Sequence, residues 1–190
     1  QRFTQWFNPQ HKRRGTLWEE RFKSVLVEDG HAARMVAAYI DLNPVRAGMV
    51  ADSKRYRWCG YGEAVAGKKA AREGLQRTML EHRRMAVSDR LAAREALDWR
   101  KVAARYGRMI HWDGERGGDA HGQLSEAELL RRRVRYFADG VMIGTKAFVD
   151  FAYRLSREHF GSNRRTGARK MGGVDSELHT ARVLTAGVGE

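Results

Sequence analysis

Residues 31–48 read HAARMVAAYIDLNPVRAG, and this stretch decides the fold. Its apolar residues recur at spacings of three and four, which predicts a helix of about three turns that begins near His31. The residues that set this spacing are Met35, Val36, Tyr39, Ile40 and Leu42. Because Pro44 disfavours helical backbone at Asn43, and Gly48 is a natural stop, a short turn should follow. The stretch therefore predicts a helix, an elbow and a turn.

The sequence before this helix predicts a strand. Side chains alternate between Arg21 and Glu28, and β-branched residues gather near the end of the run, as in a partly buried strand. Asp29-Gly30 supplies turn chemistry between the strand and the helix. Further upstream, residues 2–7 have the pattern of the last turns of an amphipathic helix, which Asn8-Pro9 should end.

The sequence from about Gly67 to Gly107 predicts a helical connector, because Ala, Arg and Glu are abundant and apolar anchors recur along it. A Gly-rich stretch over residues 111–123 then predicts a linker or domain boundary. This organisation divides the chain into residues 1–63, a connector over 64–123, and a C-terminal extension over 124–190.

Two helices are predicted in the extension, one from about Ser125 to Phe137 and one from about Thr145 to Phe160. The segment Asp139–Gly144 should form the turn between them. This arrangement resembles a helix-turn-helix, although most helix pairs with a short loop are simply packing units.

Charge points to an anionic partner. Lys and Arg number 36 against 23 Asp and Glu, which gives a net charge of +13 and a pI of about 10.4. Such an excess repels itself unless an anion is bound, and nucleic acid is the commonest such partner. The alternative is an ordinary solvated surface in an arginine-rich protein.

Cysteine and hydropathy bear on the location of the protein. Cys59 is the only cysteine, so the chain has no intramolecular disulfide and no thiolate-based structural zinc site, and Cys59 itself is expected to be a small packed residue. No apolar run approaches the roughly 18 residues of a membrane span, and no signal-peptide core is present. We expect a cytoplasmic, nucleoid-associated protein without a membrane partner.

Tyr39 and Asn43 lie four residues apart and should therefore share one face of a helix. A tyrosine can attack a phosphodiester when a divalent metal polarises the phosphate and helps generate the phenolate. The amide oxygen of Asn43 is a suitable ligand for Mg²⁺ or Mn²⁺. The alternative is that Tyr39 is a core residue with its hydroxyl at the edge of the core.

Three further groups of residues are candidates for DNA contact. A basic loop and a basic tail could contact phosphates, and a basic-aromatic stretch could stack a base while contacting its phosphates. Alternatively, the charges are solvated and the tryptophan is core. The groups are Lys12, Arg13 and Arg14 in the loop, Trp18, Arg21 and Lys23 in the stretch, and Arg164, Arg165, Arg169 and Lys170 in the tail, to which the elbow adds Arg46.

The combination of YIDLNPVRAG over residues 39–48, GTLWEERFKS over residues 15–24 and YRWCGY over residues 56–61 closely resembles the REP-associated tyrosine transposases. These are relatives of the single-tyrosine HUH transposases. The resemblance covers roughly residues 1–63. The segment from about 125 to 173 is similar to a C-terminal extension that some of these proteins carry, through RVRYFADG over residues 133–140 and RTGARK over residues 165–170.

The resemblance implies an α+β protein, with the remnant of a ferredoxin-like antiparallel sheet and its packed helices followed by a mostly α-helical extension. It implies that Tyr39 forms a 5′-phosphotyrosine link to single-stranded DNA and that Asn43 is the third ligand of Mg²⁺ or Mn²⁺. The other two ligands in the family are a pair of histidines separated by one residue, on a strand that precedes the point where this chain begins. None of the seven histidines here is so paired. We therefore expect the chain alone to cleave nothing, and to fold poorly or associate with itself.

Two other functions remain open. The same parts would serve a non-catalytic protein that recognises repetitive hairpin DNA. A basic protein with structural RNA or ribosomal partners would share the charge but show no preference for hairpin DNA.

Overall fold

A computed structural model describes residues 2–17, 24–80, 98–111, 126–132, 136–139, 141–170 and 176–182. The protein is α+β, as the sequence predicts, with a four-stranded sheet among many short helices. The helices are α1 (Arg2–Gln10), α2 (His31–Asp41), α3 (Asn43–Arg46), α4 (Gly60–Val65), α5 (Lys69–Met79), α6 (Trp99–His111), α7 (Glu126–Arg131), α8 (Tyr136–Asp139) and α9 (Lys146–Leu155). The strands are β1 (Leu26–Val27), β2 (Met142–Gly144), β3 (Arg169–Lys170) and β4 (His179–Thr180), and 3₁₀ turns cover Ser53–Arg55 and Arg157–His159.

The sheet is mixed, with the strand order β1-β2-β4-β3, and not wholly antiparallel as expected. Strand β1 runs parallel to β2, with Leu26 opposite Met142 and Val27 opposite Ile143. Strand β4 is antiparallel to both β2 and β3. Three of these four strands come from the C-terminal extension, so short strands accompany the helices that the sequence predicts there.

The main core forms around α2. Met35 and Ala38 are buried on its inner face and belong to the same hydrophobic cluster as Leu75 of α5 and Tyr106 of α6. A smaller cluster joins β2, α9 and the end of β4, and contains Met142, Val149, Ala152 and Ala181. Burial on one side of each helix is what the spacing of three and four residues predicts.

The segment Asp139–Gly144 is not the simple turn that was predicted. Its second half is strand β2, because Leu26 N and Glu28 N donate to the carbonyls of Val141 and Ile143, at 2.8 and 2.9 Å. Glu28 also accepts hydrogen bonds from the backbone N–H and the hydroxyl of Thr145, the N-cap of α9. Pairing with a strand more than a hundred residues earlier therefore overrides the local turn pattern.

Several helix boundaries also differ from the predictions. Helix α1 continues through Pro9, which lies in its last turn, and His11 N still donates to Phe7 O at 3.1 Å beyond it. Pro9 has no N–H and therefore removes one hydrogen bond from the last turn of α1. Helix α9 ends at Leu155, five residues earlier than predicted, and a 3₁₀ turn follows. Where the sequence predicts one helix from Ser125 to Phe137, the described residues form the separate helices α7 and α8, and Ser125 itself lies outside the described residues.

Candidate functional site

The helix and the short turn that the sequence predicts are both present at the elbow between α2 and α3, but Asn43 is itself helical, contrary to the prediction. Helix α2 begins after Gly30, whose φ of 88° favours glycine, and it ends at Asp41. Leu42 joins it to the single turn of α3, where Pro44 occupies a position that tolerates the missing N–H. Gly48, with a φ of 68°, follows α3. Asn43, exposed to solvent, is thereby held one turn beyond Tyr39.

Arg46 joins the two residues of the predicted catalytic pair. Its guanidinium carbon lies 3.9 Å from the centroid of the Tyr39 ring, which is cation–π geometry. The same guanidinium donates to the side-chain oxygen of Asn43, the carbonyl of Tyr39 and the carbonyl of Leu130 in α7. The half-buried Tyr39 ring also contacts Phe137, with ring centroids 4.7 Å apart. The structure therefore brings Tyr39, Asn43 and Arg46 together as one cluster, called here the elbow cluster.

The elbow cluster does not fit a divalent metal by itself. The amide oxygen of Asn43 already accepts a hydrogen bond from a guanidinium, whose positive charge opposes a second cation at the same oxygen. Within the part of the chain that the structure describes, His, Cys, Asp and Glu form no group of three or more that could hold a metal ion. Asn43 would need ligands from elsewhere to bind Mg²⁺ or Mn²⁺.

A cleft beside the elbow cluster is lined in part by basic residues. Arg46, His111 and Arg131 line a cleft of about 480 Å³ whose remaining described lining is mainly apolar. Arg131 is exposed at the end of α7, and His111 is exposed at the end of α6. The guanidiniums of Arg46 and Arg131 therefore place positive charge at an open cleft beside the Tyr39 ring.

Asp41 is the residue of this region that sequence reasoning missed. Its carboxylate is only 4% exposed and accepts hydrogen bonds from Tyr61 N at 3.2 Å and from the Tyr106 hydroxyl at 2.7 Å. Burial, and then the charge and hydrogen bond of Asp41, raise the pKa of Tyr106, which keeps its hydroxyl protonated as a donor. The sequence feature that could have identified Asp41 is a charged residue directly after the apolar face of α2. Asp41 ties α2 to α4 and α6 and so fixes the helix that carries Tyr39.

Cys59 has the packed role that the sequence predicts. Its buried Sγ accepts from Gly62 N at 3.3 Å, capping α4, and donates to Ser53 O at 3.3 Å. Burial raises the pKa of the Cys59 thiol, which keeps it a neutral cap. Cys59 therefore stabilises the start of α4 and is not a reactive thiol.

The other candidate DNA contacts lie in different places. Lys12, Arg13 and Arg14 are exposed in the loop after α1, and Lys12 has a φ of 49°. Trp18, Arg21 and Lys23 lie outside the described residues.

In the basic tail, Arg165, Arg169 and Lys170 are exposed, the last two in strand β3. Arg164 instead folds back on its own segment. Its guanidinium lies 4.8 Å from the Phe160 ring centroid and donates to the carbonyls of Thr166 and Gly167. Partial burial lowers the pKa of Arg164. These contacts give Arg164 a structural role in shaping the tail.

Comparison of the chain with protein-family models, with curated proteins and with solved structures gave no match. Across the described residues, none of the helices combines the length and the apolar character that crossing a bilayer requires.

Proposed function

We propose that this protein binds single-stranded or hairpin DNA and, when a histidine pair completes its metal site, cleaves and transfers a DNA strand through Tyr39, as a REP-associated tyrosine transposase would. The observation that carries the proposal is the elbow cluster. Tyr39 and Asn43 adjoin the guanidinium of Arg46, which borders the cleft that His111 and Arg131 also line. The positive charge of Arg46 beside an open cleft favours an anion such as phosphate.

In the proposed reaction the phenolic oxygen of Tyr39 attacks the phosphorus of a phosphodiester. A bond forms between that oxygen and phosphorus, and the bond from phosphorus to the 3′ oxygen breaks. The tyrosine proton leaves to a base, and the 3′ oxygen departs with a proton as a free 3′ hydroxyl. Arg46 would stabilise the phosphate through its charge. The role of Mg²⁺ or Mn²⁺ is proposed only for a protein to which a histidine pair is supplied, since the described residues do not form the site.

The proposal extends to the fold, the location and the assembly. Strand β1 leads directly into α2, and α2 packs against both β1 and β2, which is compatible with part of a ferredoxin-like layer of helices on a sheet. We propose that the protein is nucleoid-associated through its DNA. Self-association is supported by α1, which has no buried residue and exposes 58% of Phe3 and 56% of Trp6.

The test of cleavage is a covalent adduct. The chain, and the chain extended by the in-frame residues encoded upstream, are incubated with Mn²⁺ and hairpin DNA labelled at its 3′ end, then run on a denaturing gel. The label must be at the 3′ end because the 5′ phosphate of that fragment would stay on Tyr39. We expect an adduct from the extended protein only, lost in Tyr39→Phe and kept in Tyr56→Phe. An adduct that survives Tyr39→Phe contradicts the assignment.

A non-catalytic hairpin-binding protein is the second candidate. The observation that favours it is the hydrogen bond from Arg46 to Asn43, which occupies the oxygen that a metal would need. This function predicts retained binding to hairpin DNA with no adduct from the extended protein at any Mn²⁺ concentration. The same gel, run beside a binding assay, separates the two candidates.

A further inference from the structure

We propose that the exposed ring of Trp58 is a stacking platform for an unpaired base of single-stranded DNA, and that Arg55 and Arg57 contact the adjoining phosphates. This inference rests on the proposed DNA partner but not on cleavage by Tyr39. None of the DNA contacts predicted from the sequence lies in this segment.

The Trp58 side chain is open to solvent and already carries one stacked group. Trp58 is 69% exposed, although tryptophan is on average a highly buried residue. The guanidinium carbon of Arg57 lies 4.3 Å from the centroid of the Trp58 ring, which is cation–π geometry. The guanidinium covers one face of the indole. Because most of the residue is exposed, the opposite face is accessible to a second planar group.

The turn that presents Trp58 is held in place by the core. Residues 56–59, called here the exposed turn, are closed by a hydrogen bond from Cys59 N to Tyr56 O at 3.3 Å. Tyr56 N and the Cys59 thiol both donate to the carbonyl of Ser53, at 3.0 and 3.3 Å. The side chain of Cys59 is buried and that of Tyr56 is partly buried, whereas the two residues between them are exposed. Since this backbone is fixed before a ligand arrives, stacking on the indole needs little ordering of the protein.

The segment around the indole carries an excess of positive charge. Lys54, Arg55 and Arg57 are all exposed. The acidic residue that adjoins them in sequence, Asp52, lies 2.8 Å from Nζ of Lys54 and 3.2 Å from Nε2 of His111. Within the part of the chain that the structure describes, the side chains of Arg55 and Arg57 form no ion pair. Two guanidiniums beside an open aromatic ring therefore favour a ligand that is both anionic and planar.

Single-stranded DNA has both of these properties. Its unpaired bases stack on aromatic side chains while basic groups contact the backbone phosphates. A base inside a duplex is stacked on its neighbours and must be flipped out before it can reach a protein ring. The exposed turn also follows the cleft beside the elbow cluster, because Ala51 lines that cleft and Asp52 contacts His111, which lines it too. A strand stacked on Trp58 is therefore held next to this cleft.

The test removes the indole from the protein and the bases from the ligand. The ligands are a short oligothymidylate and the same oligonucleotide with abasic sites in place of its thymidines. Trp58→Ala should weaken binding to the oligothymidylate roughly 5- to 150-fold, since the loss of one stacked base costs about 1–3 kcal/mol. Its affinity for the abasic ligand should equal that of the unaltered protein, because no base remains to stack. Trp58→Phe keeps an aromatic ring and should bind the oligothymidylate more tightly than Trp58→Ala does.

Two further variants serve as control and as test of the phosphate contact. The matched control is Phe151→Ala, which removes an aromatic side chain that is 53% exposed in α9 and should leave the affinity unchanged. Each phosphate contact on a single strand contributes about 0.7 to the magnitude of the slope of log affinity against log salt concentration. Arg57→Gln should reduce this magnitude by about that amount, and Arg57→Lys should keep it because the charge is retained.

The outcomes separate the platform from the proposed function. Equal weakening of both ligands by Trp58→Ala, or an equal loss in Phe151→Ala, overturns the platform. Full affinity of Trp58→Ala for the oligothymidylate, with a Tyr39 adduct formed, overturns the platform and leaves the proposed function standing. Weakening confined to the ligand with bases, with no Tyr39 adduct, supports the platform and counts against cleavage. If the unaltered protein binds neither the oligothymidylate nor hairpin DNA, the platform and DNA binding are both overturned. Circular dichroism of each variant shows that a changed affinity does not come from misfolding.

Discussion

The hydroxyl of Tyr106 donates a 2.7 Å hydrogen bond to the carboxylate of Asp41, and both side chains are buried. The bond joins α6 to the end of α2 across 65 residues of sequence. The second carboxylate oxygen accepts from Tyr61 N at the start of α4. A buried charge is tolerated when each of its oxygens has a donor, so this small network stabilises the junction of three helices.

Removal of the Tyr106 hydroxyl should destabilise the fold. Tyr106→Phe leaves one oxygen of a buried carboxylate without its donor, and such a loss typically costs about 2 kcal/mol. We expect the free energy of unfolding in urea to fall by about that amount, with little change in the dependence on urea concentration.

The matched control for Tyr106 is Tyr56→Phe. Tyr56 is partly buried in the same core cluster, and its hydroxyl makes no hydrogen bond among the described residues. Its replacement should change the free energy of unfolding by less than about 0.5 kcal/mol. Equal changes in the free energy of unfolding for Tyr106→Phe and Tyr56→Phe would show that the hydrogen bond to Asp41 does not stabilise the fold.

Gly62 and Gly74 should respond to alanine in opposite directions. A Cβ at Gly62 would lie 2.1 Å from the carbonyl oxygen of Tyr56, so the backbone of α4 or of the preceding loop must shift. We expect Gly62→Ala to cost about 2 kcal/mol, as overpacking does. At Gly74, in α5, a Cβ would meet nothing within 4 Å. Gly74→Ala should therefore raise stability by about 0.5–1 kcal/mol, because alanine favours helix.

The measurement for this pair is thermal and urea unfolding of both variants beside the unaltered protein. Gly74 serves as the control, since the chemical change is the same and only the surroundings differ. A neutral or stabilising Gly62→Ala would show that the start of α4 does not pack against the Tyr56 carbonyl.

The elbow between α2 and α3 was predictable because its signals are local. The apolar spacing in residues 31–42 and Gly48 act within a few residues of themselves and have the predicted effect. Pro44 does not, because Asn43, which it was expected to keep out of helical backbone, is the first residue of α3. The packed role of Cys59 likewise follows from local sequence, because no residue near it marks the thiol as reactive.

The sheet could not be predicted in the same way. Strands β1 and β2 pair across more than a hundred residues, and each is only two or three residues long. Strands this short leave no periodic pattern in the sequence, so Asp139–Gly144 was predicted to be a turn. The cleft beside the elbow cluster was missed for a related reason, because Arg46, His111 and Arg131 come from helices that are far apart in sequence.

The ion pair between Glu126 and His31 should make stability depend on pH. Although burial favours the neutral acid, the hydrogen bond and charge of His31 and the hydrogen bond from Ser176 hold the pKa of Glu126 below its usual value near 4.5. A carboxyl whose pKa is lower in the folded state stabilises the fold above its unfolded pKa and loses this contribution as the pH falls through the folded pKa. The stabilising contribution is therefore present at neutral pH and lost in acid below about 4.5.

The measurement compares Glu126→Gln with the unaltered protein from about pH 7 to about pH 3. We expect the variant to be the less stable at neutral pH and the difference to shrink as the pH falls below about 4.5. Glu177→Gln, at an exposed glutamate near the same region, controls for the loss of a negative charge. A difference that stays constant across this range would contradict the lowered pKa.

Arg46 should not be replaceable by lysine. Its guanidinium lies over the Tyr39 ring and donates to Asn43, to the carbonyl of Tyr39 and to the carbonyl of Leu130 at once. Lysine keeps the charge but is a compact ammonium that cannot span these acceptors in one plane. We expect Arg46→Ala to lower the free energy of unfolding by about 2 kcal/mol and Arg46→Lys to recover less than half of that loss.

Urea unfolding of both variants tests whether geometry or charge matters at the elbow cluster. If Arg46→Lys is as stable as the unaltered protein, charge alone suffices and the guanidinium does not hold the elbow. A further outcome is that Arg46→Lys lowers the free energy of unfolding as much as Arg46→Ala does while Asn43→Ala has little effect. In that result, the hydrogen bonds from Arg46 to the carbonyls of Tyr39 and Leu130 are what stabilise the elbow. In that case the amide of Asn43 can turn away from Arg46 at low cost, and the oxygen that the proposed metal would need becomes accessible once other ligands are supplied.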